Sequence, residues 1–201
     1  MKVIKSSVEL LDQGPGIEGM FKHIERCGRI AYKSEDRITE DSWKRFVKMI
    51  EERGHWAVLE HGTVNMILPP SEEALKERFK ELHHPQGKWY EDPNGYLHVT
   101  TNYRVIKQLG LEKEMVEFWS EDVMCKFHRQ SVRIVCNRST SHQLVRHRIF
   151  VFLQESQRYV NHGKEKYGGE LTFILPSWVY RVRDELAGYV DSLTGESREW
   201  L

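Results

Sequence analysis

NRSTSHQLVRHR, residues 137–148, is a short basic stretch with helical spacing and no acidic residue. Thr140 and Gln143 fit a Thr-x-x-Gln capping box, which predicts a helix starting there within Ser139 to Arg148. On such a helix Gln143, Arg146 and His147 stand at i, i+3 and i+4 and share one face, while Leu144 and Val145 turn inward. That face offers an amide, a guanidinium and an imidazole together. Arg presents forked donors that match phosphate oxygens in pairs, and a neighbouring His donates to a carbonyl or phosphate oxygen. Ten residues beyond Arg146 stands Ser156, followed by Gln157, Arg158 and Tyr159. A chain reversal between the two groups brings a second Arg and a hydroxyl to the same anion, a two-sided clamp. It is not a nucleophilic apparatus: no Cys lies in the stretch, and no Asp is placed to orient His147 as a base.

The surroundings strengthen that reading. From Lys126 to Gln154 there is no Asp or Glu, yet Lys126, Arg129, Arg133, Arg138, Arg146 and Arg148 all fall there. Cations cluster without acids at a cost unless an anion visits. A solvated basic face is the plainer account, and the grouping around one turn argues against it. The whole chain has no net charge, so no global field draws in nucleic acid or a membrane surface.

Length and composition set the outer bounds. The 201 residues, 39% hydrophobic and 30% charged, suit one globular domain. No window approaches the ~18 uninterrupted apolar residues of a membrane span. The start, MKVIKSSVELLDQG, lacks a signal-peptide core, and Cys27, Cys125 and Cys136 are widely spaced, which points to a reducing cytoplasm. Helices are expected at 17–33 and 41–53, the second capped by Asp41 or Ser42 and ended by Gly54. A strand is expected at 63–68 and a solvated helix at 71–82. A loop follows through 83–99 with a turn at Asp92-Pro93-Asn94-Gly95. Short helices are expected from Thr101 to Leu109 and from Glu112 to Trp119, with strands at 131–136 and 171–175.

Arg146-His147-Arg148, seven residues, then Ser156 resembles the signature of flavin-dependent thymidylate synthases, the ThyX family. SVRIVCNRSTSHQLVRHR, QESQRYVNHGKEKYGGELTFILP and HVTTNYRVI resemble the longer members. GHWAVLEH, residues 54–61, is similar to the family's His-x-(Ser/Thr)-x-x-Glu-His element. The likeness runs from about Cys27 to Pro176, and four ordered elements are far more specific than one tripeptide.

The resemblance implies an α+β fold of ThyX type, with a curved, mainly antiparallel sheet flanked by helices. Residues 1–201 would then be a single domain of a homotetramer with shared active sites. It implies methylation of dUMP to dTMP, with FAD bound non-covalently, methylenetetrahydrofolate as carbon donor and NADPH as reductant. It carries flavin contacts onto His55, Arg146, His147, Arg148 and Gln154. It carries dUMP contacts onto Gln143, Arg146, Gln154, Glu155, Ser156, Gln157 and Arg158. Glu60 and His61 either face the site or hold the turn. No metal is implied. Ala57 stands where the family has Ser or Thr, Val151 where Ser is common, and Leu153 two residues beyond it. The family's uracil-polarising Arg belongs to a later portion, expected beyond the closing ESREWL, so no catalytic residue is assigned.

Other residues have plainer readings. His83-His84 suit a loop pair better than metal ligands, and Cys136 suits a core strand. Trp43, Phe46 and Trp56 are expected in the core, and Trp89, Tyr90 and Tyr96 at a subunit contact. A different class of function is a non-catalytic nucleotide- or RNA-binding relative. There Phe150, Phe152 and Tyr159 would stack bases between the cations.

Overall fold

Ile17, Met20, Phe21, Ile24 and Cys27 recur at helical spacing, and they form the buried stripe of α1 (Gly16–Tyr32). Lys33 closes the helix in the left-handed conformation, with φ 48°, and its N–H donates to Ile30 O at 3.2 Å. It is the one non-glycine residue with positive φ among the described residues. The computed structural model describes residues 2–83, 86–122, 127–155, 172–174 and 179. Contacts group the chain into two compact units. One joins Met1–Glu9, Val132–Arg146 and His162–Leu201, and the other joins Leu10–Ser131 and His147–Asn161.

The second unit holds the main core. α2 (Ser42–Glu52) buries Phe46, Val47 and Ile50, with Met49 packed partly buried against the core. α1 approaches α2 and α3 (Trp56–Leu59) so closely that a Cβ on Gly28 would lie 2.6 Å from the Phe46 ring and 2.8 Å from the Val58 side chain. Only glycine fits there. Phe46 is buried and Trp56 packs partly buried against the core. Trp43 stacks on Phe21 with ring centres 5.3 Å apart. Ile24, Ile50 and Leu59 are at most 1% exposed, each burial worth roughly 1.5–3 kcal/mol.

Residues 83–99 are not the loop their composition predicts. β4 (Gly87–Glu91) and β5 (Leu97–Asn102) form a hairpin, and β5 also pairs with β3 (Thr63–Leu68), giving an antiparallel sheet in the order β3-β5-β4. The Asp92–Gly95 turn signal is real, with Asp92 Oδ1 accepting from the N–H groups of Asn94 and Tyr96 at 2.9 Å each. The strands beside it were hidden by polar residues that the sheet pairs across. Asn65 and Thr100 sit opposite one another and share a 2.8 Å hydrogen bond.

α4 (Glu73–Lys80) inserts Phe79 and Leu75 into this core, and its buried Lys76 reaches Glu91 of β4 at 2.5 Å. α5 (Tyr103–Leu109) starts two residues later than predicted. Thr101 and Asn102 belong to β5, and the Asn102 side chain caps the helix by accepting from Val105 N–H at 3.1 Å. α6 (Glu112–Glu117) follows.

In the first unit, β1 (Lys2–Ile4) pairs in parallel with β7 (Thr172–Ile174), inside the predicted 171–175 strand. β2 (Ser7–Leu11) pairs with β6 (Ser131–Val135), and α7 (Arg138–Leu144) comes next. The two N-terminal strands are short, three and five residues, and the sequence reading expects no element there. The fold class is α+β, with the sheet of the second unit antiparallel and the β1–β7 pair parallel. Among the described residues no helix is long and apolar enough to cross a membrane.

Candidate functional site

In the 54–61 element nearly every polar group is tied down. His55 precedes α3 and is exposed, yet its backbone is fixed at both ends. Its N–H donates to Ile50 O at 3.0 Å, and its carbonyl accepts from Val58 N–H at 3.1 Å. The ring hydrogen-bonds through Nδ1 to the Tyr32 hydroxyl and lies nearly parallel to the Tyr32 ring, with centres 6.0 Å apart and planes 25° apart. The edge of Phe46 packs against Tyr32 at 6.3 Å. Burial raises the Tyr32 pKa, with Arg53 pulling the other way. Glu60 accepts from the Arg104 guanidinium, and the Glu60 carbonyl accepts from Arg129 Nη2 at 3.2 Å. Burial pushes His61 down to about 4, helped by His23 and Arg129, and its Nε2 finds no hydrogen-bond partner among the described residues.

The 137–148 stretch differs from its predicted geometry. α7 is capped by Asn137, whose Oδ1 accepts from Thr140 N–H at 3.0 Å, and it ends at Leu144. Asn is a stronger cap than Thr, so the helix starts earlier, and its end at Leu144 leaves Arg146 outside it. Gln143 lies in its last turn, and Arg146 follows in a turn where its N–H donates to Gln143 O at 3.2 Å. The shared helical face of Gln143, Arg146 and His147 therefore does not form. All three side chains and Arg148 are exposed, and Arg146 and Arg148 make no ion pair among the described residues. The Phe150 ring lies 6.4 Å from His147 and 6.2 Å from Phe152.

Within the second unit, the segment 147–155 returns to the core through Leu153. Its end, Glu155, approaches Lys33 with Oε1 3.6 Å from Nζ, and Gln154 beside it is exposed. The C-terminal end of α1 thus touches two predicted site regions through consecutive residues. Tyr32 holds His55, and Lys33 reaches Glu155. Nothing in the sequence marked Tyr32 or Lys33, because a helix-terminal tyrosine and lysine carry no periodic signal. Only the chain reversals of α2, α3 and the 147–155 segment bring their partners to them. Ser156, Gln157, Arg158 and Tyr159, the other half of the predicted clamp, lie outside the described residues.

A separate polar cavity of about 300 Å³ in the second unit is lined by Gln13, His23, Asn65, Trp119, Arg129 and Ser131, among others. His23 Nε2 lies 2.8 Å from Ser131 Oγ and 3.6 Å from Cys27 Sγ. Burial raises the Cys27 thiol to about 11 and lowers the His23 pKa, so both stay neutral and no thiolate forms. Cys136 is half-buried rather than buried, and Trp89 and Tyr96 are exposed. His84 lies outside the described residues. No metal-binding group of three or more side chains occurs among those described.

No curated protein and no solved structure matches the chain. A sequence model of the family described as thymidylate synthase complementing protein matches residues 100–200, just over half of the chain. That span takes in the Arg-His-Arg-to-Ser signature, while the His55 element, outside it, converges on the same segment through α1. The chain belongs to this family, that of the flavin-dependent thymidylate synthases.

Proposed function

We propose that the protein methylates dUMP to dTMP with non-covalently bound FAD, methylenetetrahydrofolate as carbon donor and NADPH as reductant. It does so as a cytoplasmic homotetramer of ThyX-like fold, with residues 1–201 belonging to one domain. The observation that carries the reading is the double contact of the α1 terminus, Tyr32 on His55 and Lys33 on Glu155. It joins an element matched to the flavin with one matched to the nucleotide.

In this reading His55, Arg146, His147, Arg148 and Gln154 hold the flavin. Gln143, Arg146, Gln154, Glu155, Ser156, Gln157 and Arg158 hold dUMP. The donor chemistry fits both ligands. Exposed guanidinium groups such as those of Arg146 and Arg148, which pair with no carboxylate among the described residues, suit a diphosphate or a nucleotide phosphate, and imidazole suits the acceptor atoms of a flavin ring. FAD, when bound, supplies the hydride that completes the methyl group. The chain's own residues bind, orient and exclude water. The buried, neutral Cys27 is in keeping with a reaction that needs no protein nucleophile.

The test is titration of the purified protein with FAD, with and without dUMP. Quenched flavin fluorescence and a flavin spectrum perturbed by dUMP are expected. No flavin uptake, together with single-stranded RNA binding that falls steeply with salt, would overturn the reading. It would favour the RNA-binding relative, which the Phe150 and Phe152 rings near the exposed arginines would serve.

A further inference from the structure

We propose that Tyr32 is a positioning residue for His55: its hydroxyl donates to His55 Nδ1 and holds the imidazole with its Nε2–H turned outward as a hydrogen-bond donor. The ligand atom it would meet is an acceptor on a planar heteroaromatic ring. This rests on the reading that His55 faces the flavin.

The argument is one of remaining freedom. A neutral imidazole carries one N–H, and the partner of the other nitrogen decides which. The His55 backbone is already fixed through Ile50 O and Val58 N–H, so only its side-chain torsions are open. The Tyr32 hydroxyl closes them, binding Nδ1 while the two rings lie nearly parallel. Tyr32 is in turn held from three directions. It is the last residue of α1, the Phe46 edge packs on its ring, and Lys33 locks the following backbone in the left-handed conformation. Burial favours the protonated phenol, which keeps a donor hydrogen available for Nδ1. An exposed histidine without such a brace samples several rotamers and both tautomers. Braced, it offers one N–H in one direction, and a ligand then binds without ordering the ring.

The experiment is nitrogen-15 NMR of the histidine rings in the full chain without ligand, above the histidine titration range. The His55→Gln variant identifies the His55 signals among the ten histidines. The proposal expects His55 protonated at Nε2, with Nδ1 accepting a hydrogen bond. Tyr32→Phe should shift the Nδ1 resonance and weaken FAD binding about three- to ten-fold, the worth of one neutral hydrogen bond. A proton on Nδ1 in the wild type, or an Nδ1 resonance indifferent to Tyr32→Phe, overturns it. FAD binding unchanged by His55→Gln overturns the positioning role in a different way, since the brace would then hold nothing that meets the flavin. The NMR result on the wild type needs no variant to fold and no ligand to bind.

Discussion

The 54–61 element and the 146–155 segment are both rich in polar side chains and use them in opposite ways. In the first, His55 is bonded to Tyr32, Glu60 is paired with Arg104 and backs onto Arg129, and the half-buried His61 has its Nε2 shut away from water. In the second, Arg146, His147 and Arg148 are exposed, and the two arginines make no ion pair among the described residues. A fold that satisfies a polar group has spent it on stability. A fold that leaves a guanidinium in water can still spend it on a ligand. Substitutions in the first element, apart from His55 whose Nε2 faces the flavin in the proposed function, should therefore cost stability, and those in the second should cost binding.

The largest effect expected is on stability. Leu59, fully buried at the end of α3, anchors the 54–61 element. Leu59→Ala should destabilise the protein by about 2–5 kcal/mol, the usual range for a truncated core leucine. Urea unfolding measures it. A loss under about 1 kcal/mol would mean that the element is not part of the core, and the contrast between the regions would break.

Acid provides the next test, through His61. Burial pulls this imidazole from its ordinary 6.5 to about 4. Between those values the unfolded chain takes up a proton that the folded chain refuses. Stability therefore falls as pH drops through that window, by on the order of 3 kcal/mol for a shift of this size. His23, also pushed down by burial, adds in the same direction. Thermal unfolding followed from neutral to acid pH should show this limb. His61→Leu should flatten it, whatever its stability at neutral pH, and an unchanged acid limb would free His61 from its buried role.

The sequence made some of this contrast legible and hid the rest. The stripes of α1 and α2 and the strand at 63–68 could be read because their apolar residues repeat at the helical or strand period. The hairpin of β4 and β5 could not. Its strands carry Lys88, Glu91, His98 and Thr100, of which Thr100 gains its partner from β3 and Glu91 its partners from α4. The basic stretch was recognisable by residue type, but its local geometry was misread. Thr140 and Gln143 form a fair capping box, and Asn137, three residues upstream, takes the cap instead. Spacing alone does not say which of two competent caps wins. The brace on His55 was invisible for another reason: Tyr32 and His55 are 23 residues apart and meet only after α2 has turned the chain back.

The second region offers a binding test of intermediate size. Arg148→Ala should leave stability within about 0.5 kcal/mol, as for an exposed side chain that makes no ion pair among the described residues. It should weaken FAD binding by about 1.5–3 kcal/mol, the worth of a charge-assisted hydrogen bond. Fluorescence titration and urea unfolding on the same preparation separate the two. A stability loss without a binding loss would reverse the assignment of that side chain.

The smallest effect concerns Lys33, where the two regions meet. A non-glycine residue in the left-handed conformation costs roughly 1–2 kcal/mol, which Lys33→Gly would recover. Against that gain stand the extra freedom of glycine in the unfolded chain, about 0.5–1 kcal/mol, and the half-exposed pair with Glu155, about 0–1 kcal/mol. The terms nearly cancel, so stability should stay within about 1 kcal/mol of the wild type. Glu155, however, loses its tether to α1. In the proposed function this carboxylate lines the nucleotide site, and dUMP binding should weaken by about two- to five-fold, an effect below 1 kcal/mol. Titration calorimetry is sensitive enough to detect it. A lysine kept where glycine would be easier on the backbone makes sense if its ammonium group aligns the 147–155 segment for the nucleotide. A Lys33→Gly protein that binds dUMP as tightly as the wild type would show that Glu155 is positioned without it.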